Sequence, residues 1–481
     1  MGIYLAEVLV RRGRKVVVAE QGTSGSASDR SLILGPNPHS GGHLGVLEGW
    51  GTGPGGSSRL WGGQLWPWQP WEFESSVGGN APWPVQPREI LDRYSAVSSV
   101  LGLSPVHQKV HEGRAEWLVQ PEELKSANVT TRYSTWLGWS ERNFASNRNL
   151  RLGQSCVQED VFAELATVDG SGCGVLRVTR GNNMEELVAP RAVVLAAGTV
   201  GNIRAIATSQ LGSDLPRIGS GFMDHVSTRA ATARVHDWSK FRAVASSKRV
   251  QGVLASPRLV PTPEYFRERA VLPSFAHWEF ALPESSGARS MRRFFRASQS
   301  RIDGGRLREG VLAVVRSTSD LTVMAESLSR ALVRRERPIL RNSEPFLRID
   351  SQQPQRESTR VQWTRSEDDA WNLNANWSVG EAEMKSRHST LDAILEAAEE
   401  MDLGAELEPL EDLNQVRDTY HLMGGTVMGS SAADSVVDAN CLVHNTQNVF
   451  VAGASVFPSG GVANPTFTAL ALTHRISEIL P

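Results

Sequence analysis

Gly2-Ile3-Tyr4-Leu5-Ala6-Glu7-Val8-Leu9-Val10-Arg11-Arg12-Gly13, continuing through Arg14 into Lys15-Val16-Val17-Val18-Ala19-Glu20, is the stretch on which the fold class turns. Ile3, Leu5, Ala6, Leu9 and Val10 recur near one helical stripe, and Gly13 marks the end of that helix. Residues 15–20 have the composition of a short buried strand that ends on an acid. A helix, a buried strand and a closing carboxylate form the second half of a βαβ unit that holds a dinucleotide, the acid accepting hydrogen bonds from a ribose diol. In a complete unit a strand and a G-x-G-x-x-G turn precede the helix, and Gly2 stands where the last of those glycines falls. The expectation is an α/β chain that begins inside its own fingerprint, with the first strand and first glycines missing and the true start upstream.

Working outward, residues 40–63 are Gly-rich, and Gly55-Gly56-Ser57-Ser58-Arg59-Leu60-Trp61-Gly62-Gly63 reads as a loop whose backbone can lie against a diphosphate or an aromatic ring. By itself it is equally an ordinary surface loop. Residues 174–179 read as strand, and residues 191–195 as a buried strand running into Ala196-Ala197-Gly198 and a helix at 202–209. Small residues at a strand's carboxyl end suit a ligand there, although they also suit tight packing. Residues 286–345 are rich in Arg and Ser, with an amphipathic helix expected at 321–335 and a solvated face as its plain reading. A further helix is expected at 389–401, stopped near Gly404, and residues 436–480 read as strand, turn, strand and a helix from 465 to 480. There is no internal repeat.

With 481 residues the chain holds more than one domain and a large core. Lys plus Arg number 50 against 52 Asp plus Glu, a net charge of −2 without long like-charge blocks, which argues against nucleic acid as a partner. Cys156, Cys173 and Cys441 are too scattered for a disulfide framework or a zinc site, and read as reduced, buried thiols; no metal is expected. No apolar run approaches the roughly 20 residues of a membrane span, and no secretory leader pattern opens the chain, so the expected location is cytoplasmic. The 43 Gly and 14 Trp point to close backbone approaches and flat buried surfaces.

The end of the chain is the most specific part. Tyr420-His421-Leu422-Met423-Gly424-Gly425 is followed by Ser435-Val436-Val437-Asp438. Then come residues 449–458, containing Ala452-Gly453, and Gly461-Val462-Ala463-Asn464-Pro465-Thr466. Together with the N-terminal 63 residues, residues 151–225 including Gly-Ser-Gly-Phe-Met-Asp-His at 219–225, and a looser match at Gln353-Pro354 and 358–363, this block resembles the FAD-dependent glucose-methanol-choline oxidoreductases.

The resemblance implies an FAD-binding, Rossmann-like domain of the glutathione-reductase type built from residues 1–80, 147–235 and 421–481. An α+β substrate-binding domain would be formed by 81–146 and 236–420. It places Gly2, Glu20 and the backbone near Val157 at the adenosine half. Gly56, Ser57, Ser58, Trp61 and Gly62 would cover the flavin, Ala197 and Gly198 would face the cofactor, and Ala452 and Gly453 would meet the pyrophosphate or ribityl. Asn464, Pro465 and Thr466 would lie at the pyrimidine edge, on a helix N-terminus whose dipole favours a reduced, anionic flavin. Some members carry a flavin-linked His where this chain has Leu60, so FAD is expected to be noncovalent. The catalytic residues implied are His421 as general base and Asn464 as hydrogen-bond donor to the same substrate oxygen, since a hydride leaves a carbinol carbon favourably only when the hydroxyl proton leaves too. His225 is expected to shape the domain junction, His444 and His474 to be structural, and His277 with Trp278 to pack in the substrate domain. The expected partners are a small alcohol, polyol or sugar-like substrate and an electron acceptor, either dioxygen or quinone-like. A flavin-containing lyase of the same fold and a flavin-free binding or scaffold remnant stand as alternatives.

Overall fold

The computed structural model describes residues 1–23, 34–74, 82–115, 126–167, 173–180, 183–187, 191–281, 339, 343–367 and 370–481. The helix expected at 321–335 lies outside the described residues. The opening helix is Gly2–Arg11, and it ends as the sequence indicates: Gly13 takes φ +75°, its N–H reaches Val10 O, and Arg14 N–H reaches Leu9 O. That paired closure of a helix through a left-handed glycine satisfies two otherwise orphaned carbonyls.

Two short parallel ladders carry the α/β character. Val18–Ala19 runs beside Val157–Gln158, and Val193–Leu195 beside Val449–Val451. The helix Gly198–Ala207 follows the strand Val193–Leu195 directly, beginning at the small residues that sequence marks as its entry. An antiparallel three-stranded sheet, Phe162–Thr167, Gly174–Arg180 and Asn183–Leu187, adjoins this half. The terminal helix Pro465–Ile479 runs through its core. Phe467, Ala469, Leu470, Ala471, Leu472 and Ile476 are all buried, and so are Thr468 and Thr473, so the helix is covered on every side. Its buried polar groups are matched: Tyr4 Oη meets His474 Nδ1 at 2.9 Å and Tyr94 Oη meets Thr468 Oγ1 at 2.7 Å.

The second half is a nine-stranded antiparallel sheet. Its main path runs through Ala405–Pro409, His225–Val235, Glu344–Gln352, Ser274–Ala281, Val253–Pro261, Val129–Trp136 and Gln64–Leu65. Lys248–Val250 and Val416–Asp418 pair at its flanks. The helix Glu381–Glu400 covers one face, where Leu391, Ile394 and Ala397 pack with Leu259, Ala276, Leu347 and Ile349. This helix begins earlier than the residues 389–401 that sequence marks, because Glu381 and Glu383 populate its polar first turn and Gly380 starts it. His225–Val235 lies inside this sheet, so the division expected at residue 235 passes beyond a strand of the large sheet. Of the three free cysteines only Cys441 is buried; Cys156 and Cys173 are partly exposed, which corrects the expectation of buried thiols. No described helix is long and apolar enough to cross a membrane.

Candidate active site

Parallel α/β sheets hold ligands beyond the carboxyl ends of their strands. Ala197 N–H donates to Asn202 Oδ1 at 2.8 Å, while Asn202 Nδ2 donates to Ala452 O at 3.2 Å and to Ser455 Oγ at 3.0 Å. One buried side chain therefore fixes both strand ends. Gly198 adopts φ +73°, and a Cβ there meets no atom within 4 Å; Gly453, at φ +129°, faces only side-chain atoms of Met1 and Asn202 near 3.9 Å. Gly2 lies close to Ala196. Gly198 and Gly453, both left-handed, thus leave open space beside the strand ends.

Glu20 follows the first ladder, beside Val157's strand, and its Oε1 accepts from Gly22 N at 3.0 Å and Gly53 N at 2.8 Å. The carboxylate thus anchors the Gly-rich loop through one oxygen. Beyond it the short 3₁₀ turn Gly56–Arg59 is fastened to the 136–145 segment. Phe144 N–H donates to Ser58 Oγ, Ser57 O accepts from Leu60 and Trp61, and Trp61 Nε1 donates to Arg142 O. Gly62 sits against the Trp136 ring, so that this approach requires a glycine. Leu60 is half exposed.

His421 and Asn464 come from different elements and meet: Asn464 Nδ2 is 2.8 Å from His421 Nε2. Asn464 is the N-cap of the helix Pro465–Ile479, yet its side chain makes no capping bond. It turns to the histidine instead, which puts the N-terminal end of the helix next to the pair. His421 is aimed by its neighbours. Tyr420 takes φ +65°, a strained turn for a residue with a side chain, and Met423 exchanges both backbone hydrogen bonds with Met223. That bridge sets 223–225 alongside 421–423 and brings His225 Nδ1 to 2.9 Å from His421 Nδ1. His225 Nε2 in turn lies 2.9 Å from Gly461 O, and residues 461–464 return to Asn464, closing a ring of contacts.

Buried carboxylates hold this ring from both sides. Asp224 Oδ1 accepts from Thr419 Oγ1, from His225 N and from His421 N, while Oδ2 faces His43 Nε2 at 3.1 Å. Burial works to raise the Asp224 carboxyl, but the hydrogen bond and charge of His43, then His421 and Thr419, hold it below the ordinary carboxylate range. Asp418 accepts from Gly45 N on the far side of His43. His43, Asp224 and Asp418 each offer one ligand atom within 4.8 Å of the others, but the carboxylates are engaged by backbone amides and Thr419, an arrangement of hydrogen-bonded anchors. On the other side, Glu72 Oε1 accepts from Val462 N at 2.8 Å and Ala463 N at 3.1 Å, and Oε2 accepts from Gln69 N and Arg132. Burial pushes the His421 imidazole down to about 4, with His225 adding to the shift and Asp224 and Asp350 opposing it. Its base form is therefore the one present at neutral pH.

The face of the large sheet not covered by Glu381–Glu400 is polar. Arg348 hydrogen-bonds Ser227 and Glu279, Arg229 pairs with Glu279, and Ser227 donates to Asp350, which also faces His277 Nε2 at 3.4 Å. His277 therefore takes part in a polar network, beyond packing alone. His444 meets Ser435 Oγ at 2.8 Å and His474 meets Tyr4, both remote from this face. His225, expected to shape the domain junction, opens the strand His225–Val235 of the large sheet and is also hydrogen-bonded to His421. The sequence reading also missed Asp224, Thr419, His43 and Glu72. A signal existed for Glu72, since an acid between Trp71 and Phe73 has to be paired when it is buried.

Comparison with known proteins places this arrangement. Residues 342–473 match the GMC oxidoreductase family model. A stretch of 104 residues is 32% identical to the fructose dehydrogenase large subunit of Gluconobacter japonicus, covering 22% of this chain and 18% of that protein. A stretch of 59 residues is 42% identical to the gluconate 2-dehydrogenase flavoprotein of Pantoea cypripedii, covering 12% of this chain and 10% of that protein. The matched stretches thus span less than a fifth of either relative. Among solved structures, pyridoxine 4-oxidase from Mesorbium loti superposes with a TM-score of 0.54 at 16% identity, covering 99% of this chain and 96% of that one. A formate oxidase does so with a TM-score of 0.54 at 13% identity, covering 99% and 95%. These structural likenesses bear on the fold. The family model is matched by residues 342–473 and the fold of these solved structures is shared along nearly the whole chain, so that the terminal part of this chain is similar to the GMC oxidoreductases.

Proposed function

We propose that this chain oxidises a hydroxyl of a small polyhydroxylated, sugar-like compound to a carbonyl, with FAD held noncovalently as its cofactor. The observation that carries this reading is the contact between Asn464 Nδ2 and the Nε2 of a buried, neutral His421. When bound, FAD supplies the two-electron acceptor that no side chain offers. The residues of the chain do the rest. Glu20 Oε2 receives the ribose hydroxyls, and the turns at Ala197-Gly198 and Ala452-Gly453 let backbone approach the diphosphate. The loop from Gly56 to Gly62 covers the ring system, and the helix start at Pro465 and Thr466 favours negative charge beside it. His421 Nε2 takes the substrate's hydroxyl proton, and the Asn464 amide donates to the same oxygen and holds the carbinol carbon in place.

The substrate class rests on two observations. The polar face of the large sheet carries Arg348, Glu279, Arg229, His277 and Asp350, a paired network of hydrogen-bonding groups of the kind that suits several hydroxyls. The two curated relatives are named for a sugar and a sugar acid. The electron acceptor in this reading is dioxygen or a quinone-like compound, and residues 1–80, 147–235 and 421–481 serve the cofactor while 81–146 and 236–420 serve the substrate, except that the strand His225–Val235 lends Arg229 to the substrate face. The test is an anaerobic titration of the FAD-loaded protein with a panel of sugars, polyols and simple alcohols, followed in the visible spectrum. Bleaching by a polyol or sugar is expected. A flavin spectrum that no alcohol changes would sink the proposal, and yellow colour that stays with acid-precipitated protein would overturn the noncovalent part.

A further inference from the structure

The hydrogen bonds around His421 determine where its proton sits. Gly461 O can only accept, so the Nε2 of His225, 2.9 Å away, carries hydrogen. With its ring hydrogen on Nε2, His225 offers a lone pair on Nδ1 to the atom facing it at 2.9 Å, His421 Nδ1, as the donor. A second chain reaches the same result independently. The Asp224 carboxylate can only accept, so the single hydroxyl proton of Thr419 is committed to Asp224 Oδ1 at 2.7 Å. Thr419 Oγ1 therefore meets His421 Nδ1, 2.9 Å away, as an acceptor. Both chains start at a group that cannot donate, and both call for hydrogen on His421 Nδ1. Nε2 is left with its lone pair beside the Asn464 amide.

We infer that His225 is a positioning residue for His421, which with Thr419 fixes the Nδ1–H tautomer and so presents Nε2 as the base. The inference rests on the proposed oxidation for its consequence, though not for its geometry. Once Nε2 takes a proton from a hydroxyl, the imidazolium still donates from Nδ1 to His225 and Thr419, and neither ring needs to turn. The positive charge then lies against two acceptors tied to Gly461 O and Asp224. The same 461–464 segment that supplies Asn464 supplies the carbonyl that orients His225, so the base and the donor are registered to each other through one short loop.

The decisive experiment has a spectroscopic arm and a kinetic arm. Nitrogen-15 histidine labelling of the FAD-loaded protein, with His421→Gln to assign the resonance, reads the tautomer directly. In the parent, His421 Nδ1 should show the protonated type of shift and Nε2 the lone-pair type. His225→Phe keeps a ring but removes the acceptor, and should raise the Nε2–H population of His421. It should also lower the rate of flavin reduction by about 10- to 100-fold with little change in KM, as when an outer partner of a functional histidine is lost. His225→Asn places an amide oxygen near the Nδ1 position and should recover most of both signals. Adding Thr419→Val to His225→Phe should deepen the loss. A His421 tautomer that is unchanged in His225→Phe overturns the inference, as does failure of His225→Asn, folded by circular dichroism, to recover more than His225→Phe. If no alcohol bleaches the parent flavin, the proposed oxidation fails, and the nitrogen shifts still decide the role of His225.

Discussion

Glu72 is a single side chain on which the geometry of Asn464 depends. Its Oε1 collects the N–H groups of Val462 and Ala463, the two residues before Asn464, and the side chain is fully buried. Glu72→Gln keeps the shape but replaces a charged acceptor by an amide, leaving Arg132 without its buried partner. Breaking such a pair typically costs about 3 kcal/mol or more, so the denaturant midpoint should fall, and flavin reduction should fall with it because the 462–464 backbone loosens. A midpoint within error of the parent would show that the two amides find other acceptors. At this scale the sequence made His421 and Asn464 readable through their local motifs, His beside Met-Gly-Gly and Asn before Pro-Thr. It hid Asp224, Thr419, His43, Glu72 and the contact of His225, since each acts through a partner between 2 and 391 positions away.

The turn after His421 shows how an element places a residue. Gly424 and Gly425 both have positive φ, and a Cβ on Gly424 falls 2.0 Å from Gly221 O, on the strip that pairs Met223 with Met423. Gly424→Ala therefore adds a backbone collision to the roughly 1–2 kcal/mol of left-handed strain. It should lower stability well beyond that figure and slow flavin reduction by shifting His421 from His225. Gly13→Ala is the matched control, with φ +75° and no atom within 4 Å, and should cost about 1 kcal/mol with the reduction rate unchanged. Comparable losses in the two variants would remove the Gly424 argument. Elements were legible where their ends carry a chemical mark, as at Gly13 and at Pro465, which opens the helix Pro465–Ile479. The strand His225–Val235 was not, because Ser227, Thr228, Arg229, Thr232 and Arg234 break the apolar pattern and its burial comes from the sheet around it. Tertiary pairing, not local alternation, makes it a strand.

Across the whole molecule, acid should act in two steps whose origins are separable. Burial pushes His107 and His421 down to about 4 and, helped by His107 and Arg132, His111 down to about 3. A histidine whose folded value lies below its unfolded value of about 6.5 binds fewer protons when folded. Unfolding free energy therefore rises with pH between about 4 and 6.5, and the contribution present above 6.5 is lost on acidification. Each shift of this size corresponds to about 3 kcal/mol, although His107 and His111 share Thr135 and their losses do not simply add. The carboxylates act lower. Glu279 is held to about 2 because Arg229 and Arg348 outweigh its burial, and Asp350 and Asp224 are also depressed, so their contributions are lost only below about pH 4. Urea midpoints measured between pH 7 and 4.5 should therefore fall steadily, and His107→Asn with His111→Gln, which retain hydrogen-bonding groups without titrating, should flatten that fall while leaving the drop below pH 4. An unaltered slope above pH 4.5 in the double variant would mean that the helix Pro105–His111 opens before its histidines charge.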